Sequence, residues 1–176
     1  MPLTHHCVAK NWQGFIYPND NTVKVWKHIF RAFQQIQRVY SQTFLSIELW
    51  SGAISDHLDT DTPFPWRGAL YSVDISIRVN PNETNALQIF NTASESLNRI
   101  WNQVIAIHLK GNFANYIQPS LSDRNDWAEV IWGDNIDRLQ QVKQKYDPHT
   151  TFHQPQSVPP LNTDDDDTTE EWYRRG

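Results

Sequence analysis

The sequence predicts an α+β fold in which a mainly antiparallel sheet is covered on one face by helices, with a C-terminal helical segment after it. Three observations carry this. The run "ALYSVDISIRV", residues 69–79, alternates with period two, so that Ala69, Tyr71, Val73, Ile75, Ile77 and Val79 share one face and Leu70, Ser72, Asp74, Ser76 and Arg78 the other. Two long stretches instead repeat their apolar residues with helical spacing. Their order along the chain is strand, helix, strand, strand, helix, strand, which suits helices packed on one side of an antiparallel sheet.

"WQGFIYP", from Trp12, reads as the first strand, and Pro18 with "NDN" ends it and opens a helix. Trp26, Ile29, Phe30, Phe33, Ile36 and Tyr40 give that helix its apolar stripe. "TFLSIELW" from Thr43 puts Leu45, Ile47 and Leu49 on one side of a half-buried strand, closed by Ser51-Gly52. A polar, proline-bearing loop, "SDHLDTDTPFPW", then leads to the regular strand at 69–79. After the "NPNE" turn a second helix is expected from Ala86 to Ile107, striped by Leu87, Phe90, Leu97, Ile100, Trp101, Val104 and Ile105. "GNFANYIQPSLSD" is expected to carry the next strand. Trp127, Val130, Ile131, Ile136, Leu139 and Val142 pack a further helical region, which Pro148 ends. Three parts result: a sheet-and-helix unit at 1–117, a helical segment packed on it at 118–161, and an acidic tail, 162–176, expected to be disordered.

Composition narrows the function. Eight Trp, eight Phe and six Tyr suit a packed body with an aromatic-lined cavity. A net charge of -5 without a Lys/Arg cluster argues against nucleic acid as partner. There is no charged leader followed by an apolar core and no run of about 18 apolar residues, so a soluble, cytoplasmic protein free of membrane is expected. Cys7 is the single cysteine and can form no internal disulfide. The "NET" sequon at Asn82 carries no weight without a leader. His149 and His153 flank no helical face and lack a third ligand, so no metal site is expected; His57 and His108 stand alone.

Two readings of the polar strand face are open. Asp74, among Ser72, Ser76 and Arg78, is either an acid–base group in an aromatic-walled cavity, its pKa raised by desolvation, or a carboxylate paired with Arg78 or Arg67 on a wet sheet face. Tyr116, next to Asn115, reads from the residues alone as a strand-end tyrosine whose buried hydroxyl is satisfied by backbone.

"DTPFPWRGALYSVDISI", "GNFANY" and "WAEVIWGDNIDRLQQVKQKYDPHTTFHQPQSVPP" together resemble, in order and spacing, the substrate domain and C-terminal segment of the berberine bridge enzyme-like flavoproteins, of the vanillyl-alcohol-oxidase type. The last is the most specific, through Trp127, Gly133, Asn135, Arg138-Leu139, Val142-Lys143, Lys145, Asp147-Pro148, Phe152 and Gln156-Ser157. Weaker similarity reaches back to Trp12. The resemblance implies a sheet face turned toward flavin and substrate, with a carboxylate base in some members near Asp74, a tyrosine at Tyr116 that deprotonates or orients the substrate and, as a phenol, suits a hydrogen-bond donor to a developing oxyanion better than a base, and a flavin-side neighbour at Asn115. Trp66 stands where the family motif usually has His, and Trp66 and Arg67, with Ser72, Ser76, Arg78 and Asn115, are the expected substrate contacts.

In that family FAD sits on a separate N-terminal domain, and no glycine-rich dinucleotide loop is present among the six scattered glycines. His5, His6 and Cys7 are not read as flavin-tethering residues. No cofactor is therefore expected on this chain. The leading expectation is a flavin-independent, redox-neutral isomerase, cyclase or pericyclase acting on a small natural-product intermediate, with Asp74 as acid or base and Tyr116 and Asn115 polarising a carbonyl. The alternative is a noncatalytic pseudoenzyme, or a subunit docking on a FAD-bearing chain. Either way, the face normally laid against the flavin domain is expected to be covered by a homodimer partner or another chain.

Overall fold

A computed structural model describes residues 8–118, 121, 126–154 and 156–161. The acidic stretch 162–176 and His5, His6 and Cys7 lie outside the described residues.

The α+β architecture is present. Strands β1 (Val8–Ile16), β2 (Thr43–Leu49) and β3 (Tyr71–Val79) form an antiparallel sheet in the order β1-β3-β2. The most regular alternation in the sequence therefore occupies the middle of the sheet, where both faces are covered: Val73 and Ile75 are fully buried on one side, Ser72 and Ser76 nearly so on the other. Helices α1 (Val23–Val39) and α2 (Ala86–Ile100) lie on the apolar face. Trp12 and Ile16 of β1, Val73, Ile75 and Ile77 of β3, Ile29 and Ile36 of α1, and Leu97 of α2 make the core, each at most 2% exposed. Trp12 also donates its indole N–H to Asn98 Oδ1 at 2.5 Å, so its polar atom is not stranded in that core.

α1 begins where Thr22 accepts from the Val25 amide at 3.3 Å, a side-chain N-cap. Its buried edge is Val25, Ile29, Ala32 and Ile36, a stripe rotated from the expected one; Phe30 is 45% exposed. β2 also differs in degree. Leu45 is half-buried as expected, but Ile47 and Leu49 are 40% and 67% exposed, because β2 is an edge strand that the helix layer only partly overlies.

The second helix stops at Ile100, short of the expected Ile107, and continues as a π-helical turn, Trp101–Ile105, and a 3-10 turn, Ala106–His108. A π turn commonly marks the place where a helix must re-aim its chain. Here the chain is delivered to Lys110, which exchanges both backbone hydrogen bonds with Phe15 of β1, at 2.8 and 2.9 Å. The strand expected over "GNFANY" is not formed beyond that one bridge. Gly111 has φ +62°, which breaks a ladder, and a Cβ there would lie 2.2 Å from the Trp66 indole. Residues 114–116 form a turn closed by Tyr116 N to Phe113 O at 2.9 Å.

Helices α3 (Trp127–Trp132) and α4 (Ile136–Tyr146), joined by a 3-10 turn at Gly133–Asn135, form the C-terminal segment. Leu121, Trp127 and Ile131 give it a small core. Buried Asn135 donates to the carbonyls of Asp59 and Thr62 at 2.7 and 3.1 Å, and Trp66 donates to Ile131 O at 3.2 Å. Gln156, fully buried, closes a two-way amide clasp on the Gln118 backbone, accepting at 3.1 Å and donating at 2.6 Å. Asp147 accepts from the amides of Thr151 and Phe152 at 2.7 and 3.2 Å and pairs with Lys143, which holds its carboxyl below the usual carboxylate range.

Candidate functional site

The polar sheet face is built by register. Gln13 of β1 and Ser46 of β2 lie directly across from Asp74 of β3, and Phe15 and Glu48 directly across from Ser72. Ser72 donates to Glu48 Oε2 at 3.4 Å. Asp74 is half-buried, and its Oδ2 is buried with no hydrogen-bond partner among the described residues. Burial, and then the neighbouring Glu48 carboxylate, push its pKa up to about 6, with Arg78 pulling weakly the other way. A carboxyl so placed exchanges protons close to neutral pH.

Aromatic rings wall the Phe15 end of this face. Fully buried Phe15 meets Trp50 and Phe64 edge-on at 5.2 and 5.6 Å, and Phe113 meets Trp50 and Phe64 at 5.4 and 5.7 Å. Tyr116 lies 6.0 Å from Phe113. Its pKa is raised by burial and then by the Glu48 and Asp74 charges, so it stands within electrostatic reach of both carboxylates as a neutral phenol. It can donate a hydrogen bond; it is a poor base.

The structure thus gathers Asp74, Ser72 and Tyr116, with Glu48 and Gln13. The other residues singled out in the sequence are engaged elsewhere or exposed. Arg78 is exposed, with its guanidinium 5.1 Å above the Phe44 ring, and Ser76 is buried across from Asn11 and Phe44. Asn115 is an exposed turn residue. Trp66 stacks on Phe15 at 6.5 Å and ties β1 to α3. Arg67 binds Thr62 Oγ1, lies over Phe64 at 5.2 Å and donates its backbone N–H to Asp59 at 3.2 Å, bracing the proline loop. No cluster of three or more His, Cys, Asp or Glu able to hold a metal occurs among the described residues.

Glu48 and Gln13 belong to this group although the sequence pattern alone does not single them out. In "TFLSIEL" the apolar positions drew the reading, while Phe44, Ser46 and Glu48, two apart, occupy the face that carries Asp74. Gln13, 3% exposed, accepts from Phe113 N at its side-chain Oε1 at 2.7 Å, and its backbone N–H donates to Gln118 Oε1 at 3.1 Å. Gln13 also lines a cavity of about 440 Å³ with Trp101, Leu109, Asn112 and Val130; neither Asp74 nor Tyr116 reaches it.

The family model described as "Berberine and berberine like" matches residues 112–159, the clasped helical segment just described. This chain is berberine bridge enzyme-like. Berberine bridge enzyme-like 23 of Arabidopsis thaliana is 30% identical over 144 residues, covering 76% of the chain and 26% of that protein. FAD-linked oxidoreductase sorD of Penicillium rubens is 30% identical over 152 residues, 85% of the chain and 30% of that protein. Among solved structures, BBE-like 1 of Physcomitrella patens superposes with a TM-score of 0.72 at 22% identity, over 93% of the chain and 32% of its own length, which establishes the shared fold. The berberine bridge enzyme-like chain therefore spans about a quarter to a third of these relatives.

Much of what makes this berberine bridge enzyme-like segment specific is scaffolding: Asn135, Lys143, Asp147 and Gln156 satisfy backbone groups, and Trp127 fills the small core. FAD is implied by the relatives' names. The described residues offer no glycine-rich turn between strand and helix for its pyrophosphate, so they do not fit that end of the cofactor, and no step is derived through it. No helix is long and apolar enough to cross a membrane among the described residues.

Proposed function

We propose that the polar sheet face is the acid–base wall of an enzyme site for a small organic molecule. Asp74 takes a proton from the substrate, and neutral Tyr116 donates a hydrogen bond to the oxygen on which negative charge develops. The observation that carries this is the buried, unpartnered Oδ2 of Asp74 on a face walled by Phe15, Trp50, Phe64 and Phe113. Burial, and then Glu48, keep Asp74 protonatable near neutral pH, so the carboxylate can take a proton from one substrate atom and return it to another. That exchange consumes no electrons and balances as an isomerisation or cyclisation, which needs no cofactor; a cytoplasmic setting and a natural-product intermediate belong to the same proposal.

The second reading is favoured by the relatives' names. In a FAD-linked oxidoreductase the same proton removal assists oxidation of the substrate, and the flavin is held by residues other than those described. The experiment that separates them is a visible spectrum of the purified protein, before and after added FAD, with turnover of candidate enolisable and hydroxylated substrates by wild type and Asp74→Asn. Turnover by colourless wild type, lost in Asp74→Asn, supports the redox-neutral reading; turnover only with bound flavin supports the second. Equal turnover by Asp74→Asn overturns both.

A further inference from the structure

β2 is an edge strand whose outer side is fully specified by its inner one. Arg78 N donates to Gln42 O at 3.0 Å and Trp50 N to Leu70 O at 2.8 Å, which fixes the even-numbered residues as those bonding inward to β3. Bonding alternates along an antiparallel strand, so Thr43, Leu45, Ile47 and Leu49 turn their N–H and C=O groups outward. No strand meets them among the described residues. The side chains around that edge are exposed and apolar: Phe44 51%, Ile47 40% and Leu49 67%. β2 has no Lys or Pro to discourage pairing, and Glu48 is its single charge.

We infer that β2 pairs antiparallel with the β2 of a second copy of this chain, about a two-fold axis through Ser46, to make one continuous six-stranded sheet from two three-stranded ones. In that register Leu45 lies across from the second copy's Ile47, and Thr43 from its Leu49, so the outward-facing backbone groups bond in reciprocal pairs while the exposed aliphatic side chains cover one another. The axis falls on a pair without direct hydrogen bonds, where the strands approach closest and the small Ser46 side chains fit.

Charge selects this partner and this register. Glu48 of one copy comes opposite Phe44 of the other, and Arg78 holds its guanidinium over that Phe44 ring at 5.1 Å. Each copy thus offers a carboxylate to the other's guanidinium, twice across the axis. A one-residue shift sets the polar face of one copy beside the helix-covered face of the other, and centring on Glu48 sets like charges opposite.

The test is sedimentation of wild type, Ile47→Pro, Glu48→Arg, Arg78→Glu and the Glu48→Arg/Arg78→Glu double variant at about 50 µM, each first checked for folding by circular dichroism. The expected result is a wild-type particle of twice the chain mass. Ile47→Pro removes an outward donor without touching any bond to β3, and it and each single charge reversal should raise the dissociation constant at least roughly tenfold. The double reversal should restore the dimer. Ile47→Lys replaces Ile47→Pro if the latter does not fold. Monomeric wild type, or a dimer indifferent to the Ile47 and charge variants, overturns the inference.

Discussion

Gln13 and Asp74 face each other directly across the β1–β3 ladder, and each carries a buried polar atom, Nε2 and Oδ2, without a partner among the described residues. With no hydrogen bond fixing either protonation state of that oxygen, the carboxyl is free to change its proton occupancy. Elsewhere on the fold, buried amides such as Gln156 and Asn135 are bonded through the same type of group.

Asp74→Asn should stabilise the protein at neutral pH. The folded-state pKa of about 6 lies above the ordinary 3.8, so folding favours the protonated acid. Stability from this group is complete below about pH 4 and is lost as pH rises through about 6. Urea denaturation at pH 8 should show Asp74→Asn ahead of wild type by about 1–2 kcal/mol, a figure reduced from the full shift because the site is partly wet. At pH 3.5 the two should coincide.

Activity at this site should rise with pH through about 6 as Asp74 ionises. Glu48→Gln removes the like charge, so the rising limb should move to lower pH while the maximum changes little. Carboxyl-carbon NMR titration of Asp74 in both proteins checks the assignment independently of any substrate.

Tyr116→Phe should leave folding intact and lower turnover by roughly tenfold to a hundredfold, the range for loss of one oxyanion donor. Because burial and the two carboxylates raise the phenol's pKa, wild type should show no alkaline limb that disappears in this variant. The pH–rate profile up to pH 10 decides it.

Gly111→Ala should cost about 2 kcal/mol or more. The residue sits at φ +62°, and the added carbon falls onto the Trp66 indole. Thermal melts followed by tryptophan fluorescence measure this, with Trp66 itself reporting the displacement.

Asn135→Ala should loosen the C-terminal segment before the sheet. Its amide holds carbonyls of Asp59 and Thr62, and leaving them unbonded costs about 1–3 kcal/mol. Hydrogen exchange should quicken in α3 and α4 while β3 stays protected.

The sheet was legible where the physics is local and periodic. Ser72, Asp74, Ser76 and Arg78 alternate with five apolar residues from Tyr71 to Val79, and that alternation gave the strand and its end at Val79, while its start lies at Tyr71, two residues after the expected Ala69. The helix stripe was misjudged because bulky Trp26 and Phe30 outweighed Val25 and Ala32, which suit the close approach of a helix to a sheet. The end of α2 was illegible, since a π turn has no pattern of its own and is set here by the need to reach Phe15. "GNFANY" looks extended by composition, but the φ of Gly111 is fixed by Trp66, a residue 45 positions earlier. Glu48 could be found only by pairing β2 with β3 in register, a tertiary fact.

Sheet order also has a consequence for biosynthesis. β1 precedes β3 in the chain, yet β3, the strand that pairs with it among the described residues, begins at Tyr71. At ribosomal speed β1 waits roughly 3–10 s, with Trp12, Phe15 and Ile16 unshielded, before its neighbour emerges. The nascent chain thus passes through a window in which its apolar first strand is open to self-association before the sheet can close over it.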